Sequence, residues 1–313
     1  MKKFFKRVLK ICGALFILLN IMTAFYAYKF TNVKNAFAET NKRKIEKTTW
    51  SKIKDVVLNS DAVKLKNSII PDTSFQTVYL ITKDNLKLEG WYIKTDSIVK
   101  GTVLLFHGHG SNKSSVINEA RSFLKMGYNT FLLDFRAHGS SEGNICTIGY
   151  YESEDVTLAY NYIKDKGEKN IMLWGISMGA AAITKAINDD SLQPSKIILE
   201  MPYGTLLQAT EGRTRMLGLP EEPVSALITF WGGIERGFWA FNLKPEEYAR
   251  KIKCPVLLQW GKNDPRVSKN EIEMIYNNIS APKKLVVYEN SQHESLCSNE
   301  PDKWEEAVKN FLQ

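Results

Sequence analysis

Apolar residues fall into three patterns along this chain, and each predicts a different kind of element. Residues 11–28, Ile11-Cys-Gly-Ala-Leu-Phe-Ile-Leu-Leu-Asn-Ile-Met-Thr-Ala-Phe-Tyr-Ala-Tyr28, carry no charge. Val8, Leu9 and Phe30 extend that run towards the roughly 20 residues with which a helix crosses a bilayer. Phe75–Ile81 and Leu86–Ile93 instead alternate apolar and polar side chains about a Lys83-Asp84-Asn85 turn, which predicts an antiparallel hairpin at a sheet edge. Short unbroken apolar runs then recur at 102–106, 128–133, 171–176, 196–200, 255–260 and 284–288, as expected of strands buried on both faces. Helical patterns near 114–126, 154–165, 178–188, 268–279 and 302–312 separate them. Such alternation predicts an α/β fold, a mostly parallel sheet flanked by helices.

Two stretches break the rhythm. Residues 31–70 are mostly polar and charged, with Trp50, Val56, Val57 and Leu58 as the main apolar points, and read as a stalk. The predicted organisation is therefore a membrane segment over 1–30, a stalk over 31–70 and an α/β domain over 71–313. Residues 203–248 separate two strands by more than one helix requires, and they are rich in aromatics: Phe230, Trp231, Phe238, Trp239 and Phe241. Ligand sites in such folds lie beyond the carboxyl ends of the strands, so this insertion is expected to arch over the site as a helical cap. Trp231, Phe238 and Trp239 are the candidate substrate contacts. Two other roles stay open for them: packing the cap onto the core, or meeting a membrane, which would favour lipid-like substrates.

The chemistry concentrates where one strand turns sharply into a helix. Ile171-Met-Leu-Trp-Gly175-Ile-Ser177-Met-Gly179 runs from a buried strand into Ala180-Ala-Ala-Ile183. Small residues on both sides of Ser177 allow a turn tight enough to project its hydroxyl clear of the sheet, and aim the Met178 amide and the helix N-terminus at a developing oxyanion. A nucleophilic serine needs a base and an orienting acid, which follow it in that order in the fold using this elbow. His293, after the strand-like Lys284–Tyr288, is the only histidine beyond Ser177, and Asp264, in the Gly261-Lys-Asn-Asp264 turn, is the only aspartate between Asp190 and His293. Glu200, at the end of the Ile197–Glu200 strand, is the alternative acid. Upstream, Thr102–Phe106 opens into His107-Gly108-His109-Gly110, a loop suited to offering the His109 amide as second oxyanion donor. His107, His109 and His138 also raise a metal reading. No carboxylate completes an HxHxD pattern and the four cysteines show no paired spacing, so neither metal nor cofactor is expected.

With these motifs in order, joined by Asp134-Phe-Arg-Ala-His138-Gly-Ser-Ser-Glu-Gly143 and Gly149-Tyr-Tyr-Glu152 with Asp155, the chain resembles the α/β-hydrolase superfamily from about Phe75 to Leu312. Within it the resemblance is to bacterial membrane-anchored serine hydrolases, esterase- or lipase-like with the serine aminopeptidase S33 type of fold. It implies Ser177 as nucleophile, Asp264 as acid, His293 as base and the amides of His109 and Met178 as oxyanion donors, working on a small-molecule acyl substrate. Hydrolysis of a carboxylic ester is the expected reaction. Peptidase, thioesterase and acyltransferase activities use the same machinery, and a membrane-tethered binding or sensor protein on a hydrolase scaffold is an alternative of another class.

Charge changes the picture at the amino end. The net charge of +8 over 313 residues owes much to Lys2, Lys3, Lys6, Arg7 and Lys10 and to Lys42-Arg43-Lys44 with Lys47. Basic residues ahead of the apolar run keep that end inside, leaving the α/β domain outside the cytoplasm. Ala36-Phe-Ala38 offers a signal-peptide site as the competing reading, with secretion as its consequence. No basic patch with interleaved aromatics points to nucleic acid, and the odd number of cysteines left for an exported domain argues against a disulfide framework.

Overall fold

The computed structural model describes residues 1–34 and 62–313. Most of the predicted stalk, including Trp50, Val56, Val57 and Leu58, lies outside the described residues. A 30-residue helix, α1 (Lys2–Thr31), leads into β1 (Val33–Lys34), which pairs in parallel with β2 (Ala62–Val63). The main sheet comprises β3 (Phe75–Ile81), β4 (Lys87–Ile93), β5 (Thr102–Phe106), β6 (Asn129–Leu133), β7 (Ile171–Ile176), β8 (Lys196–Glu200), β9 (Val256–Gly261) and β10 (Lys283–Tyr288), in the order β10-β9-β8-β7-β5-β6-β4-β3. The six strands from β10 to β6 are parallel, and β4 runs antiparallel to both β6 and β3. Every residue of β5, β6 and β9 is buried, the reason these strands read as unbroken apolar runs.

The helices α2 (Ile117–Lys125), α3 (Glu152–Asp165) and α4 (Met178–Asp190) connect the first parallel strands; α5 (Leu206–Met216), α6 (Val224–Arg236) and α7 (Pro245–Tyr248) lie between β8 and β9; α8 (Lys269–Asn278), α9 (Leu296–Asn299) and α10 (Pro301–Leu312) complete the chain. Two of them start on clear local signals. Ser268 and Glu271 form a reciprocal capping box that starts α8, while Pro301 opens α10, which buries Trp304, Ala307 and Val308 at helical spacing.

The two ends of α1 have different surroundings. Residues 2–18 are exposed along every face, Phe5, Leu9, Phe16 and Ile17 included. Its last turns are docked: Tyr26 and Ala27 form an apolar cluster with Ile228 of α6, against which Phe30, Leu217, Val224 and Trp231 pack. Polar contacts fix the register. Trp231 Nε1–H donates to Asn20 Oδ1 (3.2 Å), Arg236 Nε–H to Thr31 Oγ1 (2.8 Å) and Arg213 Nε–H to Tyr26 Oη (3.3 Å). Buried positions 23, 26, 27 and 31 form one stripe, concealed in the sequence because the residues around them are equally apolar.

The described ends of the predicted stalk also belong to the folded domain. The Val33 amide donates to Asn144 O (2.7 Å), Lys64 Nζ to Ser141 O (2.7 Å) and Asn67 Nδ2 to Asp134 Oδ2 (2.9 Å). A polar segment need not be a spacer when its polar groups satisfy loops of the fold.

Candidate active site

Ser177 sits between β7 and α4 with φ 53° and ψ −115°, a backbone conformation that costs a non-glycine residue energy and persists only when its surroundings hold it. Its neighbours explain how it is held. A Cβ at Gly179 would lie 2.2 Å from Phe106 O, and one at Gly175 would lie 2.7 Å from the Gly179 carbonyl carbon, so α4 can approach β5 and β7 only with hydrogen at both positions. The Ser177 amide donates to Glu200 O (2.8 Å), tying the elbow to the neighbouring strand.

Two loops from the same end of the sheet complete a hydrogen-bonded chain. His293, beyond β10, places Nε2 2.9 Å from Ser177 Oγ and Nδ1 2.7 Å from Asp264 Oδ2. Asp264, in the turn after β9, has a fully buried side chain and accepts the amides of Arg266 (2.7 Å) and Val267 (3.0 Å) at its other oxygen. That arrangement fixes the carboxylate and, through it, the imidazole. Gly108 lies against the elbow, where a Cβ would stand 3.6 Å from Ser177 Cβ, and Met178 is the first residue of α4, where an amide has no intrahelical acceptor.

The upstream histidines support this loop. His107 is wholly buried, with Nε2 accepting the Phe135 amide (3.2 Å) and Nδ1 2.8 Å from Gly108 O; desolvation pushes its pKa down to about 3, so the ring is neutral. His138 Nε2 accepts the Gly110 amide (3.2 Å) and its Nδ1 faces Arg136 O (2.8 Å). His109, His138 and Cys146 approach one another closely, yet both His138 nitrogens are already engaged by backbone, and burial pushes the Cys146 thiol well up. Cys12, Cys146, Cys254 and Cys297 are all free thiols.

A family described as serine aminopeptidase, S33, matches residues 97–217, and the dienelactone hydrolase family matches residues 212–313. Together the two matches run from before the His107 loop to the end of the chain. The chain belongs to the α/β-hydrolase superfamily. The uncharacterised protein YqkD of Bacillus subtilis is 27% identical over 215 residues, covering 67% of this chain and 70% of that one. Caffeoylshikimate esterase of Arabidopsis thaliana is 27% identical over 260 residues, covering 69% of this chain and 77% of that one. Among solved structures, the Pyrococcus furiosus esterase Pf2001 superposes with a TM-score of 0.67 at 23% identity, over 90% of this chain and 98% of that one, a likeness of fold. Two of these three similar proteins are named esterases, and this chain is a hydrolase.

Above Ser177 the hydrolase encloses a cavity of about 110 Å³, walled by Met178 and His109 below, by Ile228, Gly232 and Phe238 of the cap, and by Tyr26, Ala27 and Phe30 of α1. Of the three cap aromatics singled out in the sequence, only Phe238 lines it. Trp231 leans across α6 onto α1 through Asn20, and Trp239, 51% exposed, points outward beside Phe230 and Phe241. The cause is local. Gly237 ends α6 in a left-handed turn, the αL C-cap glycine that lets the chain leave the helix, and Trp239 follows it with an extended backbone. What the sequence did not reveal is the third wall. The Phe30 ring lies 4.5 Å from that of His109, so the end of the apolar segment is itself a lining element.

Glu200 is not beside His293. Its Oε1 accepts Trp304 Nε1–H (2.6 Å), Trp174 Nε1–H (3.0 Å) and Gln259 Nε2–H (3.1 Å), and burial, reinforced by Glu119, raises its pKa to about 8. Neighbouring strands end at the same level, but the carboxylate of β8 faces the core while that of the β9 turn faces the loops.

A carboxylate that the sequence presents only as the head of a motif, Asp134, stands at the centre of the loop network. Asp134 accepts the amides of Lys113 (2.7 Å) and Ser140 (2.8 Å) and pairs with the fully buried Lys113 ammonium (2.5 Å), which also meets Glu89 (2.9 Å). Arg136 pairs with the buried Asp155 (2.7 Å), anchoring the same motif to α3. These pairs hold the His107 and His138 loops together, which is the role the Asp134–Gly143 motif has here.

Proposed function

We propose that this hydrolase cleaves carboxylic esters through a serine acyl-enzyme, held at a membrane by α1. The reading rests on one observation, the unbroken hydrogen-bonded chain from Ser177 Oγ through His293 to a buried Asp264 beneath a mostly apolar cavity. His293 Nε2 takes the Ser177 proton as Oγ attacks the acyl carbon, and Asp264 keeps the proton on Nδ1 and stabilises the imidazolium. The amides of His109 and Met178 receive the oxyanion, each worth about 3 kcal/mol of barrier. Collapse expels the alcohol, protonated by His293, and water, activated by the same base, releases the acid.

An ester fits better than a peptide. A peptide brings backbone donors and acceptors that the Ala27, Phe30, Ile228 and Phe238 wall cannot satisfy, and the Arg213 and Arg266 side chains on the cavity repel the free ammonium an aminopeptidase must bind. The test is labelling with a fluorophosphonate followed by peptide mapping. The adduct is expected on Ser177 and absent from Ser177→Ala; a folded protein that takes no label at Ser177 would rule the reading out, and with it favour a non-catalytic scaffold.

The anchor reading is supported by α1 itself, long and apolar enough for either an anchor or a signal sequence, yet forming a wall of the cavity at its carboxyl end. Cleavage after Ala38 would strip that wall and bare Ile228 and Trp231. The expected result is a protein that keeps residues 1–31, stays with membranes through a carbonate wash and loses its α/β domain to protease added outside intact cells. Recovery of a mature chain starting at Glu39 in the medium overturns it.

A further inference from the structure

Two positive charges at the cavity are in no ion pair among the described residues. Arg213 of α5 and Arg266 of the turn after Asp264 both line the cavity that holds Ser177, and Arg266 also borders a second cavity, of about 240 Å³, beside Ser177 and His293. Arg213 stacks over the Phe30 ring (5.2 Å to the centroid) and donates to Tyr26 Oη; Arg266 Nε–H donates to Met216 Sδ (3.2 Å). Neither forms an ion pair among the described residues, whereas Arg121, Arg136 and Arg215 each face a carboxylate. Burial and the nearby Arg213 guanidinium lower the pKa of Arg266, and Asp264, whose carboxylate is already committed to His293 and two amides, offsets them only in part. Guanidiniums taken partly out of water and left beside a thioether, a phenol and a ring are costly unless a ligand supplies the missing anion.

The second observation concerns the path to this site. α1 forms the cavity wall with Ala27 and Phe30, and Gly232 opposes it from α6, where a Cβ would stand 3.9 Å from Ala27 Cβ. From that seam α1 continues as an exposed apolar rod through residues 11–18, beyond which lie the basic residues Lys2, Lys3, Lys6, Arg7 and Lys10. An acyl chain lying against α1 stays in an apolar environment from bilayer to Ser177.

We infer that the substrate is a membrane-borne acyl ester bearing an anionic group, its chain along the α1–α6 seam and its phosphate or carboxylate between Arg213 and Arg266. This deepens the ester-hydrolase reading and rests on it. Water adds across the acyl C–O bond, giving a fatty acid and an alcohol that keeps the anionic group.

The full chain in mixed micelles is assayed on oleoyl-glycerol phosphate, on oleoylglycerol of the same chain, and on water-soluble butyryl-glycerol phosphate, with p-nitrophenyl butyrate as a general ester. A charged hydrogen-bond pair favours the phosphate substrate over oleoylglycerol by about tenfold or more in kcat/KM. In the Arg213→Gln/Arg266→Gln double variant that ratio is expected to fall towards one, mainly through KM, and the corresponding lysine variants are expected to restore part of it. A ratio near one in the unaltered protein, or one that ignores both substitutions, overturns the anionic site. Preference for the soluble butyryl ester over its oleoyl counterpart overturns the membrane source. Absence of turnover on all four, with no Ser177 labelling, refutes the underlying hydrolase reading instead.

Discussion

Ser177→Ala and His293→Ala are each expected to lower turnover of p-nitrophenyl butyrate by about a millionfold, and the double variant to lose little more. The expectation follows from the hydrogen bond between Oγ and Nε2: without the hydroxyl there is no covalent intermediate, and without the imidazole the hydroxyl stays protonated. Because the two groups act as one unit, their losses do not add. What survives reflects the oxyanion amides and binding alone. Stopped assays at high enzyme concentration, with circular dichroism to verify folding, measure this. Wild-type turnover in either folded variant would refute the assigned mechanism, and equal, additive losses would show that Ser177 and His293 act separately.

The next largest effect belongs to Asp264. Asp264→Asn is expected to lower kcat by about 10⁴, because an amide in place of Oδ2 can donate to Nδ1 and so turn the imidazole towards the wrong tautomer. Glu200→Gln, by contrast, should leave kcat within a few fold, its carboxyl being bonded to indoles and Gln259. The same variant should reveal what Glu200 does. Its pKa rises from 4.5 to about 8 on folding, so between those values the unfolded chain has released a proton that the folded chain still holds. Stability therefore falls as pH rises through that window. Glutamine removes the titration, and its Tm relative to the unaltered protein should climb from pH 5 to pH 8. A larger kcat loss for Glu200→Gln than for Asp264→Asn would transfer the orienting role to Glu200, and a Tm difference that does not change with pH would refute the protonation account.

Much of this was readable residue by residue. β5, β6, β7 and β9 announce themselves as apolar runs because both their faces are covered, and the elbow does so because tight backbone approach demands Gly175 and Gly179 at fixed spacing. The order of Ser177, Asp264 and His293 along the chain sufficed to nominate all three, since parallel strands deliver their carboxyl ends to one edge of the sheet. Asp134 was visible only as part of a motif. Its purpose depends on Lys113 and Ser140 arriving from other loops, which no local pattern encodes.

What the linear pattern determines by itself is whatever depends on neighbours close in the chain: the strands, the helix starts at Ser268 and Pro301, the strained turn at Ser177, and an amino-terminal helix apolar enough to enter a membrane. The tertiary structure alone decided matters of direction. It turned Asp264 towards His293 and Glu200 towards Trp174 and Trp304, sent Trp231 and Trp239 away from the cavity while leaving Phe238 on it, and set Phe30 of α1 against His109. A uniformly apolar helix gives no contrast from which to read its buried stripe, and whether an arginine meets a carboxylate among the described residues depends on every element around it. Both depend on how distant segments pack, where side-chain direction and the cost of an unpaired charge are settled together.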